Sequence, residues 1–216
     1  MILEPSFESF EAAWARGENQ VVHTRLAADL DTPVSLMLKL GEARTDTFML
    51  ESVTGGEIRG RYSIVGMKPD LIWRCRGTAS EINREARFDA QAFRSLDGHP
   101  LDTLRALIAE SRINLPETLP AISAGLFGYL GYDMIRLVEH LPDVNPDPIG
   151  LPDAVLMRPS VVAVLDGVKG EGLVRRKLRY SAKGGSWKSI AQRWLGTTWK
   201  MSPARMYSLA FSTACL

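Results

Sequence analysis

The acidic residues of this chain stop abruptly, and this break limits how much of the chain can fold as one unit. All 25 Asp and Glu residues lie at or before Glu171, and none follows it. Residues 1–171 carry 17 basic side chains, a balance of −8, whereas residues 172–216 carry nine basic side chains and no acid. We therefore expect one folded region over residues 1–171 and a separate basic tail over residues 172–216.

The basic tail allows two interpretations. Three tryptophans accompany its Lys and Arg residues, and basic side chains combined with aromatic rings are found at sites that stack on nucleic-acid bases. The charges are dispersed singly, however, without a dense block or an amphipathic period, which argues against nucleic-acid binding. An abrupt loss of acids is what translation in a wrong reading frame produces. We therefore expect residues 172–216 to be a frameshifted or disordered segment.

Cysteine usage and hydropathy indicate the compartment. Cys75 and Cys215 are the only cysteines, and neither has a partner at metal-ligand spacing, so the sequence predicts neither a disulfide framework nor a zinc site. The start at Met1 lacks a basic segment followed by an apolar run, and no run reaches the ~18 apolar residues of a membrane span. We expect a cytoplasmic protein that does not insert into a membrane.

Local patterns predict a mixture of helices and strands. A first helix follows an N-cap at Ser6 and stops near Gly17, and a second begins at Pro33. A third is amphipathic and covers residues 101–108. Strands are predicted over residues 21–24, 47–52, 61–65, 71–76 and 81–82. This order of mixed strands and helices, without internal repeats, favours the α+β class.

Two apolar runs near the end of the acidic region predict buried strands. They cover residues 154–157 and 160–165, and Pro159 between them predicts a bend or bulge. The pair Asp166-Gly167 is a favourable hairpin turn. Because the composition changes at Gly172, we expect the last of these strands to lack its partner.

A glycine-rich stretch over residues 49–66 offers the clearest chemistry. Glu51 is suited to pair with an ammonium group, and Ser52 is suited to donate a hydrogen bond to a carboxylate. An amino-acid ligand needs both interactions, together with an apolar pocket for its side chain. The same residues also fit a solvated strand end followed by an ordinary turn, so both interpretations stay open.

A second motif over residues 125–136 interleaves glycines with aromatic residues. This spacing allows close backbone approach to a sheet, and Asp133 is placed to cap a following helix. Aromatic residues at alternating positions occur more often in a core than at a ligand. The histidines are far apart in sequence, and no catalytic triad or metal-ligand group is defined. We therefore assign no catalytic and no metal-binding residue to this chain.

Together these motifs resemble the amino-terminal region of anthranilate synthase component I, within the chorismate-utilising enzymes. The resemblance covers about residues 5–171. It is carried by Leu50-Glu51-Ser52, Gly55-Gly56, Gly60-Arg61-Tyr62-Ser63, Gly66, Pro69, Gly125, Gly128-Tyr129, Gly131-Tyr132-Asp133, Arg136 and Leu151-Pro152-Asp153. It implies an incomplete fold of that family, a layered β-sheet sandwich with flanking helices, which lacks the carboxy-terminal catalytic domain.

The resemblance also implies a function. The family's reaction in tryptophan biosynthesis converts chorismate and ammonia, delivered by a glutamine amidotransferase subunit, into anthranilate and pyruvate with Mg²⁺. Its amino-terminal region binds L-tryptophan, which inhibits the enzyme, and Leu50, Glu51 and Ser52 are the implied contacts. This chain is then a truncated regulatory half that needs no cofactor and is inactive alone. The alternatives are a fragment of aminodeoxychorismate synthase component I and a non-catalytic tryptophan-binding or interaction protein.

Overall fold

A computed structural model describes residues 2–40, 45–51, 60–142 and 146–178 of the chain. The helices are α1 (Phe7–Ala15), α2 (Pro33–Leu40) and α3 (Pro100–Ser111), and short 3-10 helices cover Ala121–Ser123 and Tyr132–Leu137. The strands are β1 (Gln20–Ala27), β2 (Phe48–Leu50), β3 (Tyr62–Arg76), β4 (Ala79–Asn83), β5 (Phe93–Leu96), β6 (Phe127–Leu130), β7 (Ala154–Asp166) and β8 (Glu171–Leu178). The predicted α+β class is confirmed, with the sheet as its dominant part.

The described strands pair in the order β1-β8-β7-β3-β4-β5, while β2 lies beside β3 and β6 lies beside β7. The pairs β1 with β8, β3 with β4, β4 with β5 and β6 with β7 are all antiparallel. The chain divides into two compact units, and both β3 and β7 contribute residues to each of them. The first unit comprises Met1–Thr45, Met49–Val65 and Ala163–Leu216, and the second comprises Asp46–Phe48 and Gly66–Val162.

The amino-terminal helix of the first unit follows the sequence prediction. Ser6 is the N-cap of α1, and its Oγ accepts a hydrogen bond from the backbone N of Ser9 at 3.3 Å. Gly17, with φ of 78°, follows the helix in the left-handed conformation that glycine adopts without strain. Phe10 and Trp14 lie one helical turn apart and are both buried. The side of α1 that carries Phe10 and Trp14 is therefore its apolar face.

The structure corrects the expectation that the last strand lacks a partner. β8 begins at Glu171, crosses the composition break at Gly172 and lies between β1 and β7. Its register with β1 pairs Ala27 with Glu171 and Gln20 with Leu178. The backbone groups of a strand pair without regard to side-chain charge, so a change in composition does not by itself end a strand. The remainder of the predicted tail, residues 179–216, lies outside the described residues.

β3 joins two strands that the sequence predicts separately. Gly66 and Pro69 are strand-breaking signals, but both are buried within the continuous strand. Lys68 between them has a φ of 52°, and its carbonyl oxygen accepts a hydrogen bond from Oγ of Ser160 on β7 at 2.6 Å. Contact with the neighbouring strand β7 therefore keeps β3 continuous across a local irregularity at which the sequence pattern predicts the end of a strand.

β7 likewise runs unbroken from Ala154 to Asp166, so the two apolar runs form one strand, and the bend or bulge expected at Pro159 stays a prediction. Pro159 is fully buried inside the strand. On its two sides, Arg158 and Ser160 make side-chain hydrogen bonds to residues of β3. These contacts hold β7 beside β3 where proline contributes no backbone donor.

The core of the second unit forms where α3 packs on the sheet. The fully buried residues Leu71, Trp73 and Cys75 on β3 meet Leu104 and Leu107 of α3. The helix was predicted over residues 101–108, and its amphipathic face is confirmed. A buried polar link accompanies this packing, because Nε1 of Trp73 donates to Oγ1 of Thr103 at 3.2 Å.

Candidate functional site

The candidate ligand-binding segment begins at the end of β2. Leu50 is the last residue of the strand and is half exposed, and Glu51 follows it with an exposed side chain. Ser52, the third predicted contact, lies outside the described residues, as does the Gly55-Gly56 turn. The structure thus presents an apolar side chain and a carboxylate next to each other, both accessible to a small molecule.

β2 is held by its first residue. The ring of Phe48 stacks on the ring of Phe127, with centroids 4.9 Å apart and an angle of 27° between the planes. Phe48 also occupies the space beside Gly66, where an added Cβ would lie 2.2 Å from Cζ of the ring. The local sequence patterns predict no contact between Phe48 and Phe127. A glycine inside a strand was the available signal, since it marks a site of close approach.

The turn that leads into β2 contains one unfavourable backbone conformation and two polar side chains in unfavourable surroundings. Asp46 has a φ of 58°, which is uncommon for a residue with a side chain. Burial raises the pKa of the Asp46 carboxyl above its ordinary value. Oγ1 of Thr47 is buried and has no hydrogen-bond partner among the described residues. Such features persist only where the surrounding structure fixes the backbone, and they are frequent beside functional segments.

The second motif forms a tightly packed backbone junction. A Cβ at Gly128 would lie 1.9 Å from the carbonyl oxygen of Val155 on β7, and the φ of Gly128 is 154°. The backbone N of Gly131 donates to the carbonyl oxygen of Asp153 at 2.7 Å. The predicted close approach of this motif to a sheet is therefore confirmed, and its glycines serve strand packing.

Two polar residues of the second motif have structural partners. The hydroxyl of Tyr129 donates to the carbonyl oxygen of Pro152 at 2.8 Å. The prediction that Asp133 caps a helix is wrong. Asp133 lies inside the 3-10 helix Tyr132–Leu137, and the N-cap of that helix is Gly131, without a side-chain hydrogen bond. The Asp133 carboxylate accepts instead from Nε of Arg136 at 2.8 Å. Tyr132 is largely exposed.

Within the described residues, no group of three or more His, Cys, Asp or Glu side chains is arranged to hold a metal ion. The described helices also include none that is long and apolar enough to cross a membrane.

Comparison with known proteins finds relatives that share one name, although not through a family model. No protein-family model matches the chain. It is 82% identical to anthranilate synthase component 1 of Cereibacter sphaeroides over 166 residues, which is 77% of this chain and 33% of that protein. It is 36% identical over 174 residues to anthranilate synthase component 1 of Neisseria meningitidis serogroup B, which covers 77% of this chain and 34% of that protein.

A crystal structure of anthranilate synthase component I from Streptococcus pneumoniae TIGR4 is 23% identical, has a TM-score of 0.48, and covers 82% of this chain and 37% of that chain. The chain spans about a third of the length of the curated relatives that it matches. Both curated relatives carry the same name, and the higher identity holds over most of this chain. Over the matched portion, the chain belongs to the anthranilate synthase component 1 family.

Proposed function

We propose that this chain is the tryptophan-responsive portion of a cytoplasmic anthranilate synthase large subunit. The observation that carries the proposal is the 82% identity over 166 residues to an anthranilate synthase component 1. That identity favours the anthranilate branch over the aminodeoxychorismate alternative. The exposed end of β2 supplies the site at which the amino acid would bind.

Each proposed contact has a distinct chemical role toward L-tryptophan. The carboxylate of Glu51 pairs with the α-ammonium group, and the hydroxyl of Ser52 donates to the α-carboxylate. Leu50 contributes apolar surface to the indole ring. The exposure of Leu50 and Glu51 supports the first and third of these roles, since neither side chain is committed to the core.

Formation of anthranilate requires more than this chain, in our proposal. The chain spans about a third of its relatives' length, and its described residues hold no group of three or more His, Cys, Asp or Glu side chains arranged for a metal ion. We assign chorismate chemistry, and the glutamine amidotransferase subunit that supplies ammonia, to the complete family protein. The 216-residue chain is then inactive alone. A chorismate assay with ammonia, read as anthranilate fluorescence, would contradict this assignment by showing turnover.

Residues 172–216 are, in our proposal, a segment outside the family sequence. The 82% identity extends over 166 residues, which leaves 50 residues of the chain without a match, close to the length of the acid-free segment. Resequencing the coding DNA tests this origin. A single-base insertion or deletion near the Glu171 codon is the expected result. An intact frame in repeated reads overturns it.

Calorimetric titration of the purified chain with L-tryptophan tests the binding function, with a thermal melt to establish folding. We expect saturable binding, and we expect Glu51→Gln to weaken it about three- to tenfold through loss of an exposed charge pair. Glu117→Gln, at another exposed glutamate, is the matched control and should leave the affinity unchanged. A cooperative melt without tryptophan binding would reject the proposal for this chain.

A further inference from the structure

The chain contains two Asp-Gly pairs, Asp97-Gly98 and Asp166-Gly167, and the structure places them in opposite surroundings. An aspartate followed by glycine is chemically reactive, because glycine has no side chain to hinder attack by its backbone nitrogen on the aspartate carboxyl group. Hydrogen bonds that already hold the carboxyl group or the nitrogen must break before the two can react. The partners of these two groups therefore decide which pair can react in the folded chain.

The pair Asp97-Gly98 is open at both reacting groups. Both residues are exposed, in the short connection between β5 and α3. Among the described residues, neither the Asp97 carboxylate nor the backbone nitrogen of Gly98 has a hydrogen-bond partner. A Cβ added at Gly98 would meet no atom within 4 Å, and the φ of 97° is a conformation that favours glycine. The described structure therefore neither holds the carboxylate nor covers the nitrogen.

The pair Asp166-Gly167 is closed at both reacting groups. Oδ1 of Asp166 accepts from Nε of Arg61 at 2.9 Å and from the backbone nitrogen of Val168 at 3.1 Å, and Oδ2 accepts from Nη2 of Arg61 at 2.6 Å. The backbone nitrogen of Gly167 donates to the carbonyl oxygen of Arg61 at 2.9 Å. Hydrogen bonding to Arg61 lowers the pKa of the Asp166 carboxyl, so its protonated form is scarce. One neighbour thus occupies both groups.

We propose that Asp97 is a site of spontaneous isoaspartate formation in the folded chain, whereas Asp166 is protected. The backbone nitrogen of Gly98 forms a bond to Cγ of the protonated Asp97 carboxyl. The amide proton and the hydroxyl group of that carboxyl leave together as water, which gives a cyclic imide. Water then opens the ring: addition at Cγ restores aspartate, and addition at the backbone carbonyl carbon gives isoaspartate.

The reaction alters the backbone directly before α3. In isoaspartate the chain passes through the side chain of Asp97, which adds one carbon to the backbone. His99 is the N-cap of α3, and its Nδ1 accepts from the backbone nitrogen of Leu101 at 3.3 Å. Leu104 and Leu107 of the same helix lie in the core of the second unit. The lengthened backbone therefore adjoins the start of a helix that packs on this core.

Prolonged incubation of the full chain at neutral pH, below its melting temperature, tests the proposal. Peptide mapping by mass spectrometry, with fragmentation that distinguishes aspartate from isoaspartate, assigns the product to a position. A parallel sample unfolded in guanidinium chloride sets the incubation time, because both pairs are accessible there and both should react. In the folded chain we expect isoaspartate to accumulate at Asp97 and not at Asp166.

Substitutions at Asp97 test the chemistry of the step. Asp97→Glu is expected to abolish the product at this position, because the longer side chain must close a larger and less favourable ring. Asp97→Asn should form the same cyclic imide faster, with ammonia leaving in place of water. Asp102→Glu is the matched control, since Asp102 is also exposed and lies nearby in sequence. It should leave the isoaspartate at Asp97 unchanged.

The folded and unfolded samples together decide the result. Isoaspartate at Asp97 alone in the folded chain, lost in Asp97→Glu and formed faster in Asp97→Asn, supports the proposal. Equal accumulation at Asp97 and Asp166 in the folded chain overturns it, because Arg61 then gives no protection. Absence of product at Asp97 in the folded chain, at a time when the unfolded chain has reacted there, also overturns it, because the fold then keeps the Gly98 nitrogen from the carboxyl group.

Discussion

Arg158 on β7 and Asp70 on β3 form a two-point ion pair inside the second unit. Nε lies 2.7 Å from Oδ1 and Nη2 lies 3.0 Å from Oδ2, while the Arg158 side chain is only 5% exposed. The third nitrogen, Nη1, donates to Oγ of Ser111 on α3 at 3.0 Å. A single buried cation therefore ties α3 to two strands of the sheet.

Asp70→Ala is expected to lower the free energy of unfolding by about 2–3 kcal/mol, because it leaves the buried guanidinium without its main partner. The loss stays below the ~3–5 kcal/mol typical of a fully buried pair. The Asp70 side chain is 27% exposed, and Arg158 keeps both Ser111 and the Glu110 carboxylate, whose Oε1 lies 3.4 Å from Nη1. Urea denaturation with an unchanged slope gives the value.

A surface ion pair provides the comparison for Asp70→Ala. Glu85 and Arg94 approach to 3.8 Å, and both side chains are largely exposed. Glu85→Ala should change the free energy of unfolding by less than about 0.5 kcal/mol. Equal losses in the two variants would show that burial does not determine the strength of the Arg158 pair.

Leu107→Ala is expected to destabilise the chain by about 2–4 kcal/mol, through lost burial and the cavity that remains. Leu107 is 3% exposed in the core beneath α3, whereas its neighbour Ile108 is 48% exposed. Ile108→Ala should cost less than about 1 kcal/mol. Denaturation midpoints of the two variants compare adjacent positions of one helix, and similar losses would show that the assigned helix face is wrong.

Local periodicity explains why α3 could be predicted. The apolar residues of 101–108 recur at helical spacing, and the structure buries Leu104 and Leu107 among them. The pattern does not give the angle at which the helix meets the sheet, so it includes Ile108 on the stripe although that side chain is half exposed. Position within a stripe is thus predictable, whereas burial at its edge depends on tertiary packing.

Strand continuity depends on partners distant in sequence, and here the sequence predictions were incomplete. Pro159 and Pro69 are local signals for a break, yet both lie inside long strands. The hydrogen bonds from Arg158 and Ser160 to β3 stabilise these irregular positions. No short window of sequence contains both members of such a pair, so the pairing could not be deduced from either one.

The candidate site likewise combines residues that a local sequence pattern predicts with contacts that only the structure shows. Leu50, Glu51 and Ser52 came from a local motif and its family resemblance. The stacking of Phe48 on Phe127 was seen only in the structure, because these two residues are distant in sequence. Gly66 was visible in the motif, but its partner ring was not. A glycine indicates that something approaches closely, and only the fold identifies what does.

Cys75 should be unreactive toward thiol reagents in the folded chain. It is fully buried, and burial, followed by the nearby Asp153 carboxylate, raises the pKa of its thiol, so the reactive thiolate is disfavoured. Reaction with Ellman's reagent in a Cys215→Ser background isolates this residue. We expect slow labelling under native conditions and rapid labelling in concentrated guanidinium chloride. Rapid native labelling would show that the core beneath α3 opens readily.

His23 on β1 is a buried imidazole with poor hydrogen bonding. Its ring is 2% exposed, and Nδ1 has no partner among the described residues. Nε2 lies 3.3 Å from Oε2 of Glu4, without the geometry of a hydrogen bond. Burial lowers the pKa of His23 below its ordinary value of 6.5, and Arg25 also lowers it, whereas Glu4 opposes the shift.

The direction of this shift predicts acid sensitivity. Because the folded state binds the proton more weakly than the unfolded state, His23 contributes no destabilisation above its ordinary pKa of 6.5, and stability falls as pH drops below that value. The melting temperature should therefore decrease between about pH 7 and about pH 5, above the range where carboxylates with ordinary pKa values titrate.

Substitution isolates the contribution of His23 to that pH dependence. His23→Leu removes the titrating group and should flatten the decrease in melting temperature over this interval, whatever its effect on the melting temperature at neutral pH. His140→Leu, at an exposed histidine, should retain the wild-type dependence. If His23→Leu keeps the full wild-type slope, the acid sensitivity arises elsewhere, and the buried imidazole does not couple protonation to the stability of β1.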